Sequence, residues 1–514
     1  VSFGPPPSMY TQSALSAETG QKKRRRRQLL GLVSAVLVAA LGVGGWLLWG
    51  AGGGSAASGD KAQDARGQGR LDVRQTVEKR PAATAGAMAF RFSEDGMVPG
   101  ERTEMPGMWA TDKILAKGIN RTVAGYRLGT DAAVGDEAWK LRLGGPICGT
   151  TQHVNGENRT AVLFRASEEK DALCNHVAFV DLDQGQKVWE AEFPVSELGV
   201  GDGTPEDSTF QDQPGITLAR ATVVVTWGGG TDAYDMDRGT LRWRVKSPAS
   251  DVCEHNGAAG GTAVLVRLSC WTDPEATSGS FDSITYKVRK LDLQTGATKW
   301  TYSVAKGVRE IRLLSSDPAV IATAAGEVGI TDLISLDEKG KYRTTIRLGS
   351  GGYVVECKDE VDFLAAEDCP TMVVGAGQVF VMSKEQGTLV NNSNWIVGFD
   401  LTSGNTVKKF ESGRNALIRP LRMSGDQLLA LRESSDHISP NGLVSLDPNT
   451  GEETPYLYFD LPSEGWPLTS AELSDIVVQN GRIFFGSRAA EGPTEGKAWI
   501  WLVVGIESDT VKKP

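Results

Sequence analysis

Histidine is scarce in this chain. Only four occur in 514 residues, at 153, 176, 255 and 437, and none lies in a nucleophile motif such as Gly-x-Ser-x-Gly. That argues against a hydrolase built on a serine–histidine couple. Cysteine is sparse too, with six residues, no two of them adjacent. Acidic residues almost vanish from the first fifty positions, where Glu18 stands alone against Lys22, Lys23 and Arg24 to Arg27. The remainder holds 48 Lys and Arg against 63 Asp and Glu, a formal charge of −15. Such a surface repels phosphate backbones, so no nucleic-acid partner is expected.

Long apolar runs are lacking as well, with one exception. Leu29 to Trp49 carries no charge and is rich in Leu, Val, Ala and Gly. Its length at helical rise is about 30 Å, enough to cross a bilayer core. Trp46 and Trp49 stand at its far end, where indoles favour the interface, and the basic run precedes it. The expectation is a single-pass helix over 29–49, with residues 1–28 a disordered cytoplasmic tail and everything beyond it extracytoplasmic. A cleaved signal peptide is the competing reading, since Ser55-Ala56-Ala57-Ser58 offers small residues. Against it, the run is too long for a signal core and a long segment precedes it. No cysteine lies at or just after the run, which excludes a lipoprotein anchor. Residues 50–87 read as a flexible linker of Gly, Ala, Ser and charge, and 509–514 as a short tail.

What the chain has in abundance is turns: glycine occurs 61 times. From about residue 88 one pattern returns. A β-rich strand ends at Asp, a few turn residues lead to Gly, and a second strand often carries an aromatic ring. Copies run from Asp181 to Gly185 with Trp189, Asp235 to Gly239 with Trp243, and Asp292 to Gly296 with Trp300. Weaker copies are Asp337 to Gly340, Asp400 to Gly404 with Phe410, and Asp447 to Gly451 with Tyr456. A degenerate first copy, Gly125 to Gly129, precedes Trp139. The spacing suits four short strands plus loops, which is a propeller blade. In this reading Asp caps a tight turn, Gly supplies positive φ, and Trp139, Trp189, Trp243 and Trp300 wedge between blades.

The last copy, with strands near 476–478, 483–485 and 499–506, lacks a fourth strand. Met88 to Phe92 alternates apolar and polar residues without a blade of its own. Joining the two closes a ring of eight blades over 88–508, with seven as the alternative.

These repeats resemble the PQQ-like β-propeller repeat family, whose motif is a strand, Asp-x-x-Thr-Gly, then a Trp strand; Leu291 to Trp300 matches best. The chain also resembles the membrane-anchored actinobacterial members and the eight-bladed BamB-like propellers, although BamB's lipidated cysteine has no counterpart here. The resemblance implies an all-β fold. It also raises a quinoprotein dehydrogenase, which would imply an aromatic floor, a cation site with a catalytic Asp and commonly an adjacent cysteine pair. The chain has no such pair, and its repeat tryptophans occupy packing positions.

Six cysteines permit 15 pairings. Locality and an exported compartment favour Cys148–Cys174, Cys253–Cys270 and Cys357–Cys369. All six fall near connections on the face opposite the Asp-to-Gly turns, as do the long segments 196–214, 271–283, 349–369, 386–394 and 433–441. Recognition is expected on that face. Zinc at Cys174-x-His176 or Cys253-x-His255, and calcium at Asp181/Asp183 or Asp235/Asp237, are disfavoured because disulfides and turn capping account for those residues. The Gly228–Gly230 run reads as a loop, and the sequons at Asn120, Asn158 and Asn391 as chance. The expectation is therefore a non-enzymatic, cell-membrane binding or scaffold protein. It would need no cofactor or metal and would engage a protein or cell-envelope polymer. A ligand-sensing ectodomain is a further alternative.

Overall fold

Alternation of side chains along each strand decides the architecture. In the strand Arg159–Arg165, Ala161 and Leu163 pack toward one neighbouring sheet while Val162 and Phe164 pack toward the other. A strand buried on both faces must lie in a sheet with a sheet on either side. Repeated around a circle, that is a propeller. The computed structural model describes residues 69–93, 97–128, 135–169, 172–195, 214–247, 253–271, 284–325, 329–349, 352–355, 357, 367, 369–388, 391–436, 438–470, 473–492, 494 and 501–508.

Within them lie eight four-stranded antiparallel sheets. Seven are built from consecutive chain: blade 1 spans 108–142, blade 2 147–192, blade 3 215–246, blade 4 253–303, blade 5 310–347, blade 6 372–411 and blade 7 416–459. Blade 8 takes its three inner strands, Ser474–Gln479, Arg482–Ser487 and Trp501–Ser508, from late in the chain, and its outer strand, Gly86–Ser93, from early in it. The closing pair runs antiparallel from Gly86 opposite Ser508 to Ser93 opposite Trp501. The ring is thus eight-bladed, not seven. Two small ribbons, Arg102–Glu104 with Ala489–Glu491 and Gln386–Thr388 with Asn391–Ser393, ride on the connections.

The core is distributed rather than central. Eight apolar clusters of buried side chains fill the eight gaps between adjacent blades, one to a gap. Strand direction then sorts the connections onto two faces. Hairpins from first to second strand and from third to fourth emerge on one, the turn face. Links from second to third strand and from blade to blade emerge on the other, the loop face.

The expected linker over 50–87 is corrected by the structure at its end. Residues 69–78 follow the inner rim of the turn face, hydrogen-bonded to one blade after another, and 83–85 then bond Ser508 of blade 8 and Tyr458 in the outer strand of blade 7. Ala221 N donates to Leu71 O (2.9 Å) in blade 3, and Arg74 N to Val154 O (2.7 Å) in blade 2. Arg74 Nη2 reaches Ala110 O of blade 1 at 2.7 Å. Thr76 bonds Gln479 of blade 8, and Glu78 N donates to Ser424 of blade 7. The polar composition that suggested a linker serves here to satisfy hairpin backbone groups. The segment 29–49 expected to cross a membrane lies outside the described residues. Among the described residues no helix is long and apolar enough to cross one.

Candidate functional site

The turn face is built to one plan. Asp235 Oδ1 accepts from the N–H groups of Asp237 and Arg238, both at 3.0 Å, and Gly239 follows with φ of +67°. Asp181, Asp292, Asp400 and Asp447 each accept two turn N–H groups likewise, ahead of Gly185, Gly296, Gly404 and Gly451 at positive φ. These bonds favour the ionised carboxylate: the Lys299 ammonium, with the turn N–H groups, holds Asp292 down at about 2. Asp183 and Asp237, the second acids of the two calcium candidates, are engaged otherwise. Asp183 accepts from Thr111 and Asn158, and Asp237 pairs with Arg70 of the rim segment.

The glycines are fixed by a second cause. Each tryptophan of one blade lies beneath the turn glycine of the next. A Cβ on Gly185 would stand 2.1 Å from the Trp139 ring, on Gly239 2.6 Å from Trp189, on Gly296 2.8 Å from Trp243, and on Gly340 2.4 Å from Trp300. Three of the indoles also donate to the turn they underlie: Trp189 to Met236 O, Trp243 to Leu293 O and Trp300 to Glu338 O. The face is thus closely packed, and apart from the Trp139 indole N–H these groups find partners within it.

The loop face differs in every respect. All three disulfides lie there, joining Cys148 to Cys174, Cys253 to Cys270 and Cys357 to Cys369. His176, beside Cys174, contacts Asn175 and Phe164. His255, two residues beyond Cys253, is buried and bonded to Thr231 of blade 3 at 2.7 Å, and burial with nearby Arg289 lowers it to about 4. With the sulfurs in disulfides, neither Cys-x-His pair offers a thiolate. His437 lies outside the described residues, as do large parts of the long connections. Val98, Leu173, Ile438, Trp466 and Leu473 are exposed apolar side chains on this face, with Ile438 86% exposed and Leu473 58%; Val77 on the rim segment and Leu241, Tyr342 and Val407 near the starts of outer strands are others. Ile438 and Leu473 are thus each more than half exposed.

One carboxylate lies across the axis from its own blade. Glu367 belongs to the connection between blades 5 and 6, two residues before Cys369, yet it bonds the inner rims of blades 2, 3 and 4. Thr217 Oγ1 donates to Glu367 Oε1 at 2.6 Å and Gly260 N to Oε2 at 2.7 Å, while His153 Nε2 faces Oε1 at 3.3 Å. Burial pushes the Glu367 carboxyl up, but the His153 charge and the three hydrogen bonds outweigh it and hold the group below the usual carboxylate range. Sequence reasoning passed over Glu367 and the rim residues Arg70 to Glu78. A lone acid in an irregular loop has no period to betray it; proximity to Cys369 was the sole hint. Among the described residues no three His, Cys, Asp or Glu side chains converge as a metal site.

A family model described as outer membrane protein assembly factor BamB matches residues 173–454. No curated protein sequence matches the chain. Among solved structures, BamB from Moraxella catarrhalis is 14% identical, with 80% of this chain and 98% of that one covered at a TM-score of 0.40. The quinohemoprotein alcohol dehydrogenase ADHIIG from Pseudomonas putida HK5 is 11% identical, with 86% and 80% covered at 0.46. The quinohemoprotein alcohol dehydrogenase from Comamonas testosteroni is 11% identical, with 86% and 81% covered at 0.44.

Proposed function

This chain belongs to the PQQ-like β-propeller family of the outer membrane protein assembly factor BamB, and from that premise we propose that it is a non-enzymatic binding or scaffold protein. The propeller engages a protein or cell-envelope ligand through its loop face. The segment 29–49 anchors it in the cell membrane as a single pass, with the N-terminus cytoplasmic and the propeller extracytoplasmic.

The observation that carries the reading is the inequality of the two faces. Hairpins, indoles and the rim segment 69–78 pack and bond one another across one face. The other bears the disulfides, the longest connections and exposed Ile438, Trp466 and Leu473. Variable loops on a rigid ring, with apolar side chains left in water, are the usual makings of a recognition surface. Three disulfides suit an oxidising compartment, which supports an exported propeller. The family's namesake is an assembly factor, which agrees with a role in holding other proteins.

The test is crosslinking in intact cells with the full chain as bait. Ile438→Asp combined with Leu473→Asp should remove the captured partner, while Val77→Asp on the turn face should leave it in place. Equal capture by all three chains would sink the assignment of the loop face. Reconstitution with PQQ and calcium is the counter-test: a stoichiometric quinone spectrum with dye-linked dehydrogenase activity would make the protein an enzyme.

A further inference from the structure

The contacts of Glu367 describe a receptor as well as an ion pair. A carboxylate is held by a hydroxyl, a backbone N–H and an imidazole, each from a different blade. Nothing else in the connection that carries Glu367 is needed to build that arrangement. Thr217 is fully buried in the inner strand Gly215–Ala219. Gly260 packs so tightly on that strand that a Cβ would stand 2.1 Å from Leu218 O, and Ser316 of blade 5 donates to its carbonyl at 2.5 Å. His153 is tied by its own N–H to Thr151 Oγ1 and by its carbonyl to Thr160 Oγ1. All three groups are therefore placed by the blades that own them. Preorganised groups of this kind bind whichever carboxylate reaches them.

We propose that Thr217, Gly260 and His153 form a carboxylate-binding site at the axis of the ring, which Glu367 occupies in cis and which a small carboxylate anion takes when Glu367 is withdrawn. The ligand class follows from burial. Thr217 is closed to solvent and His153 and Glu367 are largely so, which admits a small acid and excludes a polymer. Competition sets the strength: a tethered Glu acts at an effective concentration in the millimolar range, so the wild-type chain binds a free acid far more weakly than a chain lacking it.

Propionate and acetate are the probes, applied to the full chain. In Glu367→Ala the vacated space matches such an acid. Propionate should raise the unfolding temperature of that variant at concentrations at least about tenfold below those needed for the wild type. Adding Thr217→Val to Glu367→Ala should abolish the response. Equal responses in wild type and variant, no response in the variant, or a response that survives Thr217→Val would each overturn the proposal. Should Glu367→Ala fail to fold, Glu367→Gln keeps the volume and removes the charge. Propionate should then move the nitrogen resonances of the His153 imidazole in Glu367→Gln before it does so in the wild type, and an unmoved His153 overturns the site.

Discussion

From blade 1 round to blade 5, each gap is closed by an indole lying under a neighbour's turn glycine; from blade 5 round to blade 1, none is. At the position of the tryptophans stand Thr344 in blade 5, Lys408 in blade 6 and Pro455 in blade 7. In that second arc buried polar side chains join the blades. Asn394 of blade 6 both accepts from Ile418 N and donates to Ile418 O in blade 7. Arg422 of blade 7 binds Glu78 of the rim segment and Val478 O of blade 8. Asp475 of blade 8 lies between Arg488 and the buried Lys117 of blade 1. An indole gains from burial wherever it lands and tolerates small shifts. A buried ion pair gains little in forming and costs much to break. The two arcs therefore differ less in strength than in the way they fail.

Substitutions can separate them. The largest effect belongs to the polar arc. Glu78→Ala leaves Arg422 and the N–H groups of Asn480 and Gly481 without their carboxylate, and should cost about 3–5 kcal/mol in urea unfolding. A cost under about 1 kcal/mol would mean that the rim segment contributes nothing to closure.

Acid should find a weak place in the indole arc. His255 links blades 4 and 3 as a neutral ring, with its folded value depressed to about 4 against an ordinary 6.5. Its contribution is present above about pH 6.5 and lost as pH falls toward 4, up to roughly 3 kcal/mol. In His255→Gln, stability followed across that range should lose this slope; an unchanged slope would assign acid sensitivity elsewhere.

Glycine replacements give the finest comparison. Gly239→Ala must hold a Cβ at φ +67° and 2.6 Å from the Trp189 indole, for about 2–3 kcal/mol by thermal unfolding. Gly451→Ala has a similar φ, but its Cβ meets only the flexible end of Lys408, at 3.2 Å, and should cost about 1 kcal/mol. Equal costs would show that φ alone selects glycine and that the indole imposes nothing.

The ring was legible because its repeat is local. Asp, Gly and Trp within ten residues specify a hairpin and a wedge, and Cys253 and Cys270 pair because their strands are neighbours in register. Even the closing strand could be read, since Met88 to Phe92 alternates and the last blade lacks an edge. What could not be read is contact without periodicity. Arg70 to Glu78 looks like a spacer until hairpins from blades 3, 2, 1, 8 and 7 are brought beneath it in turn. Glu367 finds His153, Thr217 and Gly260 because a circle brings blade 2 opposite blade 6, with blades 3 and 4 next round the ring, a fact of closure that no local window contains.

The composite eighth blade also bears on how the molecule is made. Gly86–Ser93 is synthesised first among the ring's strands and has no partner until Trp501–Ser508 arrives. Until then the growing chain is an open arc with an unpaired strand at each end, a state that invites aggregation and proteolysis. A single late event, the docking of the youngest strand on the oldest, therefore separates a vulnerable intermediate from a finished molecule. A chain cut anywhere before Trp501 cannot pass that checkpoint, however many of its blades are sound.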